Sequence, residues 1–421
     1  MPSARSAEQR FFPLDEELAL LPGGLTPYMQ EHLVRLGALV PFEPAAELLH
    51  DLLGVQISPA QVRRITEGAG AAYVEFQNQA AERIEREAPE APAGAEKMEV
   101  SVDGAMVPLR HGEWGEVKTL VVGEVAPAVL EKGEWVVHTR QLSYFSRLAT
   151  AERFEQLCLV ELHRRGVEKA GAVGAVVDGA EWEQGLIDYH CPQAVRILDF
   201  PHAGQRIGQV AEAVWGEGSA QTQQWTNERL HQLKHQGPDA ILAELRDLRA
   251  QHPDQAVLAE NLGYLEKREA LMQYPTFQAQ GWPIGSGIVE SGNKLVVEAR
   301  LKGAGMHWDR EQVNPMLGLR NILCSDRWSD EWQVLAQQLR QQAQVRRKKN
   351  REKRRQEKAP PVVDVGELQP VEPAQKTLEE QPASAPQRLP KSGSKKPAAN
   401  HPWRHSPFGR ALYEPSPNAR K

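Results

Sequence analysis

Apolar and polar positions alternate most cleanly at 98–103, where Met98, Val100 and Val102 are apolar and Glu99, Ser101 and Asp103 are polar. A period of two over that length predicts a half-buried strand. The run closes on Asp103-Gly104, which places Asp103 either at an accessible strand end or in a turn, since Asp-Gly is a common hairpin pair. Residues 117–125 and 135–141, rich in Val and Thr, predict strands two and three of an antiparallel meander. At 148–165 the apolar set Phe154, Leu157, Cys158 and Leu162 falls on one side of a helix. The wholly apolar run 171–177 predicts a strand covered on both faces, as in parallel pairing, and it ends in Asp178-Gly179. A further strand at 194–198 ends in Asp199. Three strands, helix, strand, helix, strand predict an α/β mixed sheet, and parallel neighbours would bring Asp103 and Asp178 to one sheet edge, where α/β proteins bind ligands.

On either side of this segment the pattern is helical. Residues 31–40 predict a helix, and 44–53 another, with Leu49, Leu52 and Leu53 at helical spacing. After a turn at 54–57, Ser58-Pro59-Ala60-Gln61 is an N-terminal signature: Ser as cap, Pro first, Gln as the third-position partner of a capping box. Val62 and Ile65 then face inward, leaving Arg63, Arg64 and Gln61 for bases or phosphates. Two helices about a glycine-bearing turn, at about 42–68, fit a helix-turn-helix or an ordinary helical hairpin. A helix over 71–86 and a Pro- and Ala-rich linker at 87–94 predict a domain boundary near 90. Residues 203–280 predict an all-α insertion, 281–287 a glycine-bearing loop, and 288–294 the start of the last core helix. Helices at 309–325 and 328–342 are expected outside that core. From 346 a basic run, solvated or phosphate-contacting, leads into a Pro-, Ala-, Glu- and Lys-rich tail expected to be disordered.

The domain division that follows is a helical region over 1–90 that holds the candidate DNA-binding helix-turn-helix, a mixed-sheet core over 95–202 and 281–310, the insertion 203–280, C-terminal helices over 311–345 and the tail 346–421. A chain of 421 residues has room for two or three such units. Its net charge of -6 gives no overall bias toward nucleic acid, so the basic run matters as a local feature. Three distant cysteines, Cys158, Cys191 and Cys324, argue against a disulfide framework or cysteine zinc site and fit a reducing cytoplasm. No apolar run reaches about 18 residues and the N-terminus lacks a signal peptide's apolar core, so a soluble cytoplasmic protein with no membrane partner is expected.

Asp103 and Asp178 close strands, and Glu290 lies in the first turn of a helix after a glycine-rich approach. Hard divalent cations take carboxylate oxygens, and Mg²⁺ is held by one or two carboxylates plus phosphates and waters. Two such ions about 3.5–4 Å apart serve an in-line displacement at phosphorus. Acids favoured at element ends by local electrostatics are the plainer account of Asp178 and Glu290.

The order of elements, with Asp103, then Asp178, then a helical Glu290, resembles the RNase H-like DDE transposases. The helical stretch before the Glu resembles their Mutator-like superfamily, and Asp199-Phe-Pro-His202 resembles its Cys/Asp-x-x-His signature. Gly285-Ser-Gly-Ile-Val-Glu290-Ser, Arg300-Leu-Lys-Gly-Ala-Gly-Met-His-Trp308 and the late His401-Pro-Trp-Arg404 are similar to bacterial insertion-sequence transposases of the ISKra group. The resemblance covers roughly residues 10–340 and the late motif, and is most specific from Glu290 to Trp308. Members of that group often carry a cysteine-rich segment before a Pro-Leu-Asp stretch, and residues 1–12 here hold no cysteine. The resemblance implies that Asp103, Asp178 and Glu290 hold two Mg²⁺, with Mn²⁺ able to substitute, for hydrolysis and strand transfer. Asp199 competes with Asp178 for the second place; otherwise Asp199 and His202 are accessory groups. Lys294, Arg300 and Lys302 become candidates for phosphate contact, and Trp282 and Trp308 for stacking on a base or for core packing. The partners implied are double-stranded DNA, as terminal inverted repeats and target, and a second copy of the chain, since two ends must meet. An inert DNA-binding protein and an RNase H-like nuclease are the alternatives.

Overall fold

The alternation at 98–103 does form a strand, and the strand is longer than its pattern. The computed structural model describes residues 25–131 and 133–358. Residues 1–24 and 359–421, with the late His401-Pro-Trp-Arg404 motif and the tail expected to be disordered, lie outside the described residues. Strand β1 (Lys97–Pro108) pairs antiparallel with β2 (Trp114–Val125) over nearly its whole length, from Met98 opposite Glu124 to Pro108 opposite Trp114. It pairs parallel with β6 (Ala172–Val177) only from Lys97 to Val100. Asp103 is therefore neither a strand end nor a hairpin turn. It sits within β1, beyond the point where the parallel neighbour stops. Gly104 serves this pairing, not a turn: a Cβ there would lie 2.7 Å from Glu116 Oε1 on β2.

A small ribbon, β3 (Val129–Glu131) with β4 (Glu134–Val136), precedes β5 (Thr139–Leu148), and β7 (Val195–Leu198) follows β6. The sheet runs β5-β2-β1-β6-β7, antiparallel on one side of β1 and parallel on the other. The third strand of the meander thus lies later than 135–141. In β5, Ser143, Ser146 and Arg147 are buried with Tyr144 and Phe145. A strand covered on both faces carries no period of two, so residues 142–147 offer no alternation by which to extend the expected strand.

Three helices precede the sheet: α1 (Pro27–Leu39), α2 (Phe42–Leu53) and α3 (Pro59–Glu87). Gly54 ends α2 in the left-handed region at φ 66°, and Ser58 and Gln61 close the expected capping box on α3. One helix of 29 residues replaces the two expected segments. Helix α4 (Ala151–Arg164) lies after β5, α5 (Glu181–His190) joins β6 to β7, and α6 (Phe200–Trp215), α7 (Ala220–Gln236), α8 (Asp239–Gln251), α9 (Ala256–Glu266) and α10 (Tyr274–Ala279) form the insertion. Helix α11 (Gly287–Gly292) continues through a π-helical turn (Asn293–Glu298) and a last α turn (Ala299–Leu301). Then come α12 (Arg310–Cys324) and α13 (Trp328–Lys358), and α13 carries helix through the basic run.

One face of the sheet (Met98, Val100, Val102, Leu120, Val122, Phe145) packs on α4 and α5. The other is shared. Over β6 and β7 it meets the insertion, through Val176, Ile197, Leu198, Ile207 and Tyr274. Over β1, β2 and β5 it meets α11 to α13 and the N-terminal helices, through Val117, Val121, Tyr144, Val289 and Met316. Asp103 lies at the seam of these two cores.

Helix α12 belongs to that core, contrary to expectation. Edge strand β5 presents unpaired N–H groups at every second residue, and buried backbone donors need acceptors. Ser325 Oγ takes the N–H of Tyr144, Asn321 Oδ1 that of Ser146 and Asn314 Oδ1 that of Leu148. On its other side α12 crosses α3 so closely that a Cβ on Gly70 would lie 2.1 Å from the carbonyl oxygen of Pro315. The N-terminal helices thus share a core with α12 across the linker near 90, within one compact unit. Among the described residues no helix is long and apolar enough to cross a membrane.

Candidate functional site

Asp103 leaves β1 beside the end of β6. Its Oδ1 accepts from the N–H of Gly104 at 2.6 Å, and its Oδ2 from Asn293 Nδ2 at 2.8 Å. Asp178, one residue past β6, accepts from the N–H of Ala180 at 2.9 Å. The turn that carries it needs Gly179, at φ 88°. Two insertion side chains hold the turn's backbone: the Tyr264 hydroxyl donates to the carbonyl of Asp178, and Arg268 Nη2 to that of Gly179 at 2.6 Å.

A third acid completes the group. Glu183, buried in the first turn of α5, reaches back to the N–H groups of Gly179 and Ala180 at 3.1 and 3.3 Å. That is helix-capping geometry, but it sets the carboxyl against Asp178. One carboxylate oxygen from each of Asp103, Asp178 and Glu183 lies within 4.8 Å of the others, and such a set could hold a metal ion. Burial, reinforced by the hydrogen bond to Asp178 and the charges of Asp178 and Asp103, pushes the Glu183 carboxyl up to about 10. Burial also raises Asp103, the charges of Asp178 and Glu290 add to this, and the Gly104 and Asn293 donors oppose it. The site thus gathers three carboxyl groups with little counter-charge, and burial favours keeping a proton on Glu183.

Glu290 is exposed on α11, one turn before Asn293, and is not among the three converging acids. It is close enough for its charge to act on Asp103. Gly292 seats this helix on the sheet, since a Cβ there would meet Val121 at 2.9 Å and Tyr144 at 3.1 Å. Asn293 turns inward: it is buried, donates to Asp103, and its Oδ1 has no partner.

Asp199 lies elsewhere, although it also ends a strand. Its Oδ2 caps α6 by accepting from the N–H of His202 at 2.9 Å, and its Oδ1 accepts from the N–H of Ser286 at 2.6 Å. Together with the bond from the N–H of Phe200 to the carbonyl of Ile284, this ties α6 to the loop before α11. Asp199 is not among the converging acids, whereas Asp178 is. His202 packs half-buried against Tyr264, with ring centroids 5.8 Å apart, and burial holds it below the ordinary histidine value.

Of the groups expected to meet DNA, Arg63 and Arg64 are exposed in the first turns of α3, Arg63 near Glu67 at 3.7 Å. Lys294 is exposed, and Lys302 pairs with Glu298 at 2.7 Å. Arg300 does not fit that expectation. It is 2% exposed, donates to the carbonyl of Gly37 at 3.1 Å and stacks on Phe42 and Trp308. A guanidinium stem buries well against aromatic rings, and here it pins α1 and α2 to the last core turn. Trp282 and Trp308 are core residues: Trp282 fills the space over Gly174, and Trp308 donates to the carbonyl of Leu301 at 3.1 Å.

Glu183 and Asn293 escape a reading of the sequence. Each carries a faint signal. Glu183 is an acid in the first turn of a helix that follows a strand-ending Asp, and Asn293 is three residues past Glu290, on the same helical face. No family model matches the chain, and no curated protein matches it.

Proposed function

We propose that this chain is a DNA transposase of the RNase H-like DDE class, of the Mutator-like superfamily, and similar to the ISKra group of insertion-sequence enzymes. The observation that carries the reading is the convergence of Asp103 and Asp178 from adjacent parallel strands beneath a helix that bears Glu290. The insertion between the second Asp and that helix, and the exposed Arg63 and Arg64 after a tight turn, fit the same reading. The second supplies a helix-turn-helix face for terminal repeats.

The residues fit a hard divalent cation. Their donors are carboxylate oxygens, no basic side chain is ion-paired with Asp103, Asp178 or Glu183 among the described residues, and the Asn293 amide oxygen is buried and orphaned beside Asp103. Asp103 and Asp178 would hold Mg²⁺ or Mn²⁺, with Glu290 completing the set from the helix. Such ions supply charge neutralisation at phosphorus and a stronger attacking oxygen. The chain's own work is positional. Asn293 holds the Asp103 carboxylate in one orientation, Tyr264 and Arg268 fix the Asp178 turn, and the Asp199 strut sets the approach to α11. Positioning of this kind is most of what phosphoryl transfer asks of a protein.

Cleavage of duplex DNA bearing the element's own ends, compared in Mg²⁺, Mn²⁺ and Ca²⁺, tests the reading. Asp103→Asn and Glu290→Gln are expected to lower Mg²⁺-dependent cleavage on the order of a thousandfold, the loss of several kcal/mol of charge stabilisation. Both should bind the ends as the wild type does. Full cleavage by either variant rejects the assignment. The convergence of Glu183 with the two aspartates favours a second version, in which Glu183 takes the third place. Glu183→Gln inactive with Glu290→Gln active selects it.

A further inference from the structure

Beside the acids stands a cluster of opposite sign, and one member of it, Arg206, has no part in the positioning described above. His202 and Arg206 lie four residues apart on α6, hence on one helical face. Tyr264 and Arg268 lie four apart across the end of α9. The Arg206 and Arg268 guanidinium carbons stand 4.5 and 3.8 Å from the centre of the Tyr264 ring. Tyr264 donates to the carbonyl of Asp178 and Arg268 to that of Gly179, so the cluster borders the acid group.

Neither guanidinium serves as the acids' counter-ion. Among the described residues the polar partners of Arg206 are Asn261 Oδ1 at 3.3 Å and the exposed Glu260 at 3.9 Å, and its Nε is buried without a hydrogen-bond partner. Arg268 spends its donors on the carbonyls of Tyr264 and Gly179. Two like charges against one ring repel each other, and an anion near them removes that cost. The cluster is partly open to solvent, with the Arg206 side chain 26% exposed. Arg206, stacked on the Tyr264 ring and hydrogen-bonded only to Asn261 among the described residues, keeps donors for a phosphate oxygen.

We propose that Arg206, stacked on Tyr264 with the charge of Arg268 close by, forms a subsite for a backbone phosphate of the nucleic-acid strand cut at Asp103 and Asp178. The subsite rests on the DNA-cleaving reading for the identity of its ligand. It explains why an Asp-x-x-His stretch continues to an arginine one turn later: Asp199 caps the helix, and the same helix delivers Arg206 beside the acids.

The test uses the full chain in EDTA, so that cation-dependent chemistry plays no part. Binding of fluorescent single-stranded and duplex oligonucleotides is measured by anisotropy across a salt series for wild type, Arg206→Gln and Arg206→Lys. One lost phosphate contact predicts about five- to tenfold weaker binding for Arg206→Gln and a salt slope smaller by about one. Arg206→Lys should recover most of the affinity, which a merely structural role would not allow. Unchanged affinity and slope in Arg206→Gln overturn the subsite, as does equal weakening in both variants. Asp103→Asn serves as the control. If, in a parallel Mg²⁺ assay, wild type cleaves while Asp103→Asn binds normally and does not cleave, the cleavage reading stands whatever Arg206 shows. If wild type never cleaves but Arg206→Gln weakens binding selectively, the subsite stands and the cleavage reading falls.

Discussion

Strands β6 and β7 lie side by side and parallel, and each passes into a helix through an aspartate. The two aspartates meet different surroundings. Asp199 is enclosed by donors, with one carboxylate oxygen on the cap of α6 and the other on the loop before α11. Asp178 accepts from Ala180 but faces Asp103 and Glu183. A buried carboxylate surrounded by N–H groups is at rest, and its negative charge is what the local structure requires. A carboxylate set against other carboxylates is stable only if protons or cations join it. The same residue type at the same kind of strand end is therefore a strut in one place and a candidate ligand in the other.

The contrast is sharpest in paired substitutions. Asp178→Asn should weaken Mn²⁺ binding at least about a hundredfold, read by calorimetry, and leave the melting temperature in cation-free buffer unchanged or raised. Asp199→Ala should do the reverse. Loss of two hydrogen bonds to a buried charge costs roughly 3 kcal/mol in urea unfolding, while the cation site is weakened only through the looser approach to α11. If Asp199→Ala abolishes cation binding in protein that remains folded, and Asp178→Asn does not, the assignment of the two ends is inverted.

A third carboxyl separates burial from function. Glu99, on the same face of β1 as Asp103, is fully buried opposite Gly123, and among the described residues its carboxyl accepts only from the Thr139 hydroxyl. Burial pushes it up to about 7, against the smaller opposing effect of that hydroxyl. The folded protein thus keeps a proton that the unfolded chain releases above about 4.5, and stability falls as pH rises from there through about 7. Glu99→Gln removes this loss. It should unfold at about 2–3 kcal/mol higher free energy than wild type at pH 8 and nearly equally at pH 4.5, as measured by urea titration at both. A constant difference between the two pH values would exclude the linkage.

The smallest effect belongs to the surface. Lys294→Ala should change stability by less than about 0.5 kcal/mol, while reducing the salt slope of DNA binding by about one. Arg300→Ala, six residues on but buried on Phe42 and Trp308, should instead destabilise the fold by a few kcal/mol. The two basic residues look alike in the sequence and differ only in what covers them.

Local order was legible in the residues themselves. The capping box at Ser58, the glycine stop at Gly54, the strand from Met98, the apolar run of β6 and the helical stretch after Asp199 all follow from short-range rules of spacing and caps, which neighbours cannot easily override. Where burial on two faces erased the alternation, as in β5, those rules placed the strand too early and left 142–147 unassigned. The mixed order of strands, with Asp103 and Asp178 on parallel neighbours, was also within reach, because connection length and run composition constrain pairing.

Tertiary structure alone decided the rest. It ran β1 past Asp103, so that the acid lies at a seam between two cores and not in a turn. It laid α12 along the open edge of β5, because three N–H groups there needed acceptors that Asn314, Asn321 and Ser325 supply. It brought Glu183 and Asn293 to the aspartates and turned Arg300 inward. Each of these depends on which chain segments come to lie within a few ångströms of each other. Hydrogen bonding and burial are settled at that range, and spacing along the chain does not record it.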